Sequence, residues 1–225
     1  MQFQRTELLI GEENLNKLKK ANVLVFGIGG VGSYVVEALV RAGIGKLSIV
    51  DFDNVDITNI NRQILALHST IGMKKVEAMK NRILDINPSI ELKTYPTFVS
   101  EETIEKFNFS EYDFVVDAID NVTGKLLIIE KCKENNVNII TSLGTANKLD
   151  PSKLLLTDIS KTHTCPLAKV VRLELRKRGI NHLDVLFSTE IPTKPSSNVL
   201  GSISDLPSCA GLMIASKVIN TLINK

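Results

Sequence analysis

Cysteine is scarce in this 225-residue chain: Cys132, Cys165 and Cys209 are odd in number and widely spaced. They offer neither a disulfide framework nor a C-x-x-C zinc pair. Long apolar runs are missing too. No stretch of about 18 uninterrupted apolar residues exists, so no membrane span is expected. Residues 1–17 have no apolar signal core and carry Arg5 and Glu7 early, so secretion is not expected and a cytoplasmic location follows by default. The charge shows little excess of either sign. A net charge of +2 neither demands nor excludes a nucleic-acid partner, because a local basic face suffices for one.

What is there is a chain that is 44% hydrophobic, enough for a full core in one domain over residues 1–225. No internal repeat and no linker divides it. The organising stretch is 22–62. Asn22–Phe26 is a short apolar, partly β-branched run, as a buried parallel strand should be. Gly27, Gly29 and Gly32 follow as G-x-G-x-x-G, and Val35, Val36, Leu39 and Val40 then carry helical spacing. The first glycine allows the tight turn, the second lets backbone N–H groups approach a phosphate, and the third lets helix and strand lie close. An anion would sit at the helix N-terminus. Lys46–Val50 reads as the second strand, and Asp51 stands where a ribose-binding acid is expected.

Residues 1–10 read as an arm and Glu12–Lys20 as a short helix. Further helices are expected at Gly72–Asn87, Glu101–Phe107 behind Ser100, Val122–Asn135, His163–Arg178 and Pro207–Asn224. Strands are expected at Ile90–Tyr95, Tyr112–Val116, Val137–Thr141, Lys153–Asp158 and Asp184–Ser188, with a long loop over Ile191–Ser204. The alternation predicts a Rossmann-like, doubly wound, mostly parallel α/β sheet, extended by the C-terminal strands and helices. Residues 1–146 form the nucleotide-binding half in this reading, and 147–225 a substrate or dimer half. Ligands of such sheets bind outside the carboxyl ends of the strands. Asp51, Asp53, Asp117, Asp120 and Asn121 fall there.

The nucleotide is either a dinucleotide or ATP. Hydride transfer needs an acid/base group beside the nicotinamide, and none stands out among the three histidines. Arg62 and Lys75 instead suit a triphosphate and the charge that builds on it. Asp120 suits Mg²⁺, which prefers one or two carboxylates plus phosphate oxygens. Together they favour adenylation of a carboxylate. On the helix expected at 163–178, Lys169, Arg172 and Arg176 share one side, a candidate face for phosphates of a nucleic acid.

Five motifs then stand in a recognisable order: Gly27-Ile-Gly-Gly-Val-Gly-Ser33, Asp51-Phe-Asp53, Asn59-Ile-Asn-Arg-Gln63, Gly72-Met-Lys-Lys-Val76 and Asp117-Ala-Ile-Asp-Asn121. In this the chain resembles the ThiF/MoeB/HesA superfamily, ATP-dependent activating enzymes related to ubiquitin-activating enzymes. The resemblance implies that Gly27, Gly29, Gly30 and Gly32 hold phosphates and Asp51 the ribose, with Asp53, Asn59 and Asn121 nearby. It implies that Arg62 and Lys75 stabilise the phosphates and that Asp120 faces Mg²⁺. Arg5 would reach the nucleotide of a partner subunit, so a homodimer is implied.

The sulfur-carrier activators of that superfamily usually carry two C-x-x-C zinc pairs and a crossover-loop cysteine, which this chain lacks. Asp158-Ile-Ser-Lys-Thr-His-Thr-Cys-Pro-Leu-Ala168, Leu186-Phe-Ser-Thr-Glu190 and Pro207-Ser-Cys-Ala-Gly211 resemble instead a tRNA-modifying branch. That branch implies tRNA as substrate: ATP activates the threonine carboxylate of a modified adenosine beside the anticodon, and the neighbouring carbamoyl group closes a ring with net loss of water. The rivals are an adenylyltransferase for the C-terminal glycine of a small sulfur-carrier protein, and a nucleotide-binding scaffold recruiting a cysteine desulfurase system. One position departs from the branch. Cys165 stands where an aspartate is more usual, either as a neutral replacement or as a reactive thiol beside the basic Lys161 and His163.

Overall fold

The computed structural model describes residues 2–193 and 200–224. In chain order the elements are α1 (Gln4–Ile10), α2 (Glu12–Lys20), β1 (Asn22–Phe26), α3 (Gly32–Ala42), β2 (Lys46–Val50), α4 (Lys75–Ile86), β3 (Glu91–Tyr95) and α5 (Glu101–Ile104). Then come β4 (Phe114–Asp117), α6 (Val122–Glu134), β5 (Asn138–Ser142), β6 (Leu154–Asp158), α7 (Pro166–Lys177), β7 (Asp184–Ser188) and α8 (Asp205–Ile223). The strands form one seven-stranded sheet in the order β3-β2-β1-β4-β5-β7-β6, parallel except where β6 runs against β7. The expected doubly wound architecture is therefore present, with the C-terminal strands extending the same sheet. The strand order reverses between β1 and β4, which opens a crevice at their carboxyl ends.

Alternation along each strand feeds two cores. Val23 and Val25 of β1 and Phe114 and Val116 of β4 face one layer, packed under α2, α3, α4 and α8. Leu24, Phe26 and Val115 face the other, under α5, α6 and α7. Such two-sided burial explains why these strands read as continuous apolar runs. The long apolar α8 has the length and composition of a membrane span. It instead buries Leu206, Ala210, Ile214, Val218 and Leu222 against the first of these layers.

Several boundaries differ from expectation, three of them at helix starts near the N-terminus or the cleft. Residues 4–10 are a helix rather than an arm, although α1 buries none of its side chains and leaves Leu8 and Leu9 80% and 85% exposed. Helix α4 begins at Lys75 instead of Gly72, because Gly72 adopts φ +84°. Helix α7 begins at Pro166 instead of His163. Proline at its first position has no N–H to offer a preceding turn, and Thr164 adopts φ +64°. Of the loop expected at Ile191–Ser204, the middle (194–199) lies outside the described residues.

Gly211 sets the distance between α8 and α3. A Cβ there would stand 2.4 Å from the Val31 carbonyl oxygen and 2.8 Å from Tyr34 Cβ. Gly211→Ala should therefore cost about 1–3 kcal/mol in urea unfolding, as overpacking does. The exposed Ser216→Ala on the same helix should change little.

Candidate active site

The glycine turn follows from its own sterics. Gly27 adopts φ +81°, and a Cβ there would lie 2.8 Å from the Ala118 carbonyl. A Cβ on Gly32 would lie 1.8 Å from the Gly27 oxygen, so no other residue lets α3 start this close to β1. At Gly29 the nearest atom to a Cβ is Gln63 Nε2 at 3.8 Å, so the turn is open there. It opens into a cleft of about 680 Å³ lying across the carboxyl ends of the strands. The cleft brings together Gly27, Gly29, Gly30, Asp51, Asp53, Asn59, Arg62, Lys75, Asp120 and Asn121.

Asp51 braces the turn that it follows. Its Oδ2 accepts the Ile28 N–H at 2.8 Å and its Oδ1 accepts the Asp53 N–H at 3.0 Å. Burial pushes its pKa above the usual carboxylate value, with Lys75 and these two N–H groups pulling the other way. Lys75, the first residue of α4 and 6% exposed, lies 2.7 Å from Asp53 Oδ2 and 3.9 Å from Asp51 Oδ1. Arg62 is fixed by its own loop, donating from Nη1 to the Thr58 carbonyl and Asn61 Oδ1, each at 2.9 Å. Asn59 helps to form that loop, its Oδ1 accepting the Asp56 N–H at 3.1 Å.

The two acids after β4 have separate tasks. Asp117 is fully buried and faces Lys125 of α6, also fully buried, with Nζ 3.1 Å from each carboxylate oxygen. Lys125 also donates to the Ser142 carbonyl at 2.8 Å, and Asp117 Oδ1 accepts the Ile119 N–H at 3.2 Å. Burial raises the Asp117 pKa against the pull of the Lys125 ammonium. Asp117 therefore shapes the 118–121 loop from behind, while Asp120 is exposed in the cleft. Asn121 caps α6, its Oδ1 accepting the Gly124 N–H at 2.8 Å, so Asp120 is not needed as the cap. Among the described residues no three His, Cys, Asp or Glu side chains cluster as metal ligands.

Arg5 sits on the exposed α1 and does not line the cleft of its own chain. Of the basic stripe on α7, Lys169 and Arg176 are exposed. Arg172 instead spends its guanidinium on Thr162, donating to the carbonyl at 2.8 Å and to the hydroxyl. Cys165 is 4% exposed, caps α7 by position and lines the cleft. Lys148 lines the cleft with it, whereas Lys161 and His163 are exposed.

Reading the sequence missed four contributors to the cleft. Gln63 is 6% exposed, and its Oε1 is buried with no hydrogen-bond partner among the described residues. Its place inside the Asn59–Gln63 motif was the available signal. Phe52 and Phe98 are about half exposed and meet edge to face at 4.9 Å, an apolar wall suited to a flat ring. Lys148 is almost completely buried. Neither Phe98 nor Lys148 has a local pattern to mark it.

A family model described as the ThiF family matches residues 3–225. The chain belongs to the ThiF family. Within it, the chain is 44% identical to a tRNA threonylcarbamoyladenosine dehydratase of Bacillus subtilis, over 99% of this chain and 94% of that protein. A protein of the same name from Haemophilus influenzae is 37% identical, over 95% and 90%. Among solved structures, the Escherichia coli tRNA N6-threonylcarbamoyladenosine dehydratase TcdA in complex with ATP matches with a TM-score of 0.93 and 34% identity, covering 99% of this chain and 94% of that one. The same enzyme in complex with AMP matches equally well.

The buried pair behind the loop yields a stability test. Lys125→Met should cost about 3–5 kcal/mol in denaturant unfolding, because Asp117 is left charged and buried without its partner. Adding Asp117→Asn should recover much of that loss. Wild-type stability of the single variant would show that the pair does not fix this corner.

Proposed function

We propose that this chain is an ATP-dependent enzyme that dehydrates threonylcarbamoyladenosine in tRNA. The observation that carries this reading is likeness over nearly the full length to dehydratases of that name, one of them solved with ATP. The likeness spans both the nucleotide half (1–146) and the half from 147 onward, which we assign to the acceptor side of one domain. No sulfur-carrier chemistry is needed, and the three cysteines are all free.

The roles follow from the geometry. The glycine turn offers main-chain N–H groups to phosphates at the start of α3. Asp51 keeps a second lone pair on each oxygen for ribose hydroxyls, and the Phe52/Phe98 wall flanks the base. Arg62 and Lys75 offset charge that grows on the phosphates as the threonine carboxylate attacks. Mg²⁺ fits the donor set at Asp120, a single exposed carboxylate that leaves the other positions to phosphate oxygens and water. When bound it would polarise the phosphates as a Lewis acid. The nucleophile for ring closure is already attached to the acyl group, so proximity comes from the substrate and no enzyme thiol is required. We further assign a homodimer in which Arg5 reaches the partner's cleft, with Leu8 and Leu9 of α1 offering apolar surface to it.

Incubation with ATP, Mg²⁺ and modified tRNA should remove one water from the nucleoside, read by mass spectrometry. Arg62→Ala or Asp120→Ala should lower turnover by about 100-fold or more. Unchanged nucleoside mass, with pyrophosphate released on adding a sulfur-carrier protein, would overturn the reading. For the tRNA interaction, Lys169→Ala with Arg176→Ala should weaken binding. The double variant should also flatten the salt dependence, reducing the log–log slope by about one for each phosphate no longer neutralised. Arg172→Ala should act through loop stability, because its guanidinium is engaged with Thr162.

A further inference from the structure

Among the described residues three cations line the cleft, and Lys148 is the one that no motif announces. It is 3% exposed. Two other lysines are as deeply buried, and each meets a carboxylate: Lys75 meets Asp53 at 2.7 Å and Lys125 meets Asp117 at 3.1 Å. Lys148 donates only to main-chain carbonyls, Gly144 at 3.0 Å and Ser188 at 3.3 Å, and makes no ion pair among the described residues. Burial lowers its pKa, while Cys165 and Glu190 act in the opposite sense. A buried ammonium with partial charges but no anion at hydrogen-bond distance is costly, and an arriving anion relieves that cost.

Its position is held from both sides. Asn147 takes φ +58° and exchanges two hydrogen bonds with Gly201, its N–H to the Gly201 carbonyl at 2.9 Å and its Oδ1 from the Gly201 N–H at 2.6 Å. On the other side the Glu190 carboxylate accepts the Leu149 N–H at 3.1 Å and the Asp150 N–H at 2.9 Å. These bonds hold the main chain on either side of Lys148 and so limit where its side chain can reach.

Strand order places Lys148 relative to the nucleotide. Across the carboxyl ends stand Asp51 after β2, the glycine turn after β1, Asp120 after β4, and then Gly144 and Ser188 at β5 and β7. Phosphates at the glycine turn leave the β5/β7 end for the group that attacks them. We infer that the Lys148 ammonium anchors the carboxylate of the acceptor, holding one oxygen while the other faces the nucleotide phosphates. The inference rests on the reading that the acceptor is the carboxylate of a modified tRNA.

The test compares binding of threonylcarbamoylated and unmodified tRNA to the wild-type chain, Lys148→Met and Lys148→Arg, alongside KM for ATP and the thermal midpoint. The wild type should prefer the carboxylate-bearing tRNA, and Lys148→Met should lose that preference by about tenfold or more, as for one charge-assisted hydrogen bond. Its affinity for unmodified tRNA and its KM for ATP should stay within about twofold, and Lys148→Arg should restore part of the preference. The thermal midpoint of Lys148→Met should not fall, since an uncompensated buried charge is removed. Equal loss for both tRNAs, or a rise confined to KM for ATP, would overturn the assignment. A Lys148-dependent preference without any dehydration by the wild type would uphold the anchor and refute the proposed reaction.

Discussion

The buried ion pair between Asp117 and Lys125 is the constraint on which the cleft turns. One ammonium reaches both oxygens of the last residue of β4 and the carbonyl of the last residue of β5. It therefore ties the end of β4, beside the glycine turn, to the end of β5. In return Asp117 holds the Ile119 N–H, and the Ala118 N–H bonds to the Phe26 carbonyl at 2.8 Å. The loop so fixed presses against Gly27 closely enough to exclude any side chain there, and leaves Asp120 facing open space. An ion pair at zero exposure adds little net stability against its desolvation cost. What it supplies is position: three main-chain segments meet at one charge.

The three buried lysines among the described residues divide the electrostatics of the molecule. Lys125 is satisfied within the protein and shapes it. Lys75 is shared between Asp53 and Asp51, so its charge is held at the mouth of the glycine turn in a fixed place. Lys148 donates hydrogen bonds to carbonyls and to no carboxylate among the described residues. Of the two that line the cleft, Lys75 near β2 is paired with carboxylates and Lys148 near β5 and β7 is not. A cleft arranged in this way is preorganised for anions, which is how electrostatic catalysis avoids reorganisation during the reaction.

Much of this was legible in the linear chain because it depends on local rules. Apolar runs marked the central strands such as β1 and β4, since strands buried on both faces carry few polar residues. Gly27 and Gly32 were legible because a left-handed φ at the first and close backbone approach at both leave no alternative residue. Arg62, Lys75 and Asp120 were legible as members of ordered motifs. Other features were not. Nothing local distinguishes Asp117, a buried anchor, from Asp120, an exposed one, three residues away; the difference is whether Lys125 and Ser142 stand behind it. Arg172 shares spacing with Lys169 and Arg176, yet Thr162 captures it. The start of α7 moved because a left-handed Thr164 and a proline interrupt an otherwise helical pattern.

Short-range stereochemistry thus left its mark in residue order alone: a mostly parallel sheet, a tight glycine turn between β1 and α3, and Arg62 and Lys75 in motifs that meet at one cleft. Helical and strand periodicity, glycine sterics and motif spacing act over a few to a few tens of residues, so they leave their mark in the order of amino acids. Folding alone decided which charges would be paired. Burial and pairing depend on residues far apart in sequence, such as Asn147 with Gly201 and Lys148 with Ser188. Desolvation acts on a side chain only once distant strands have closed around it, so a lysine with no local signature became part of the site.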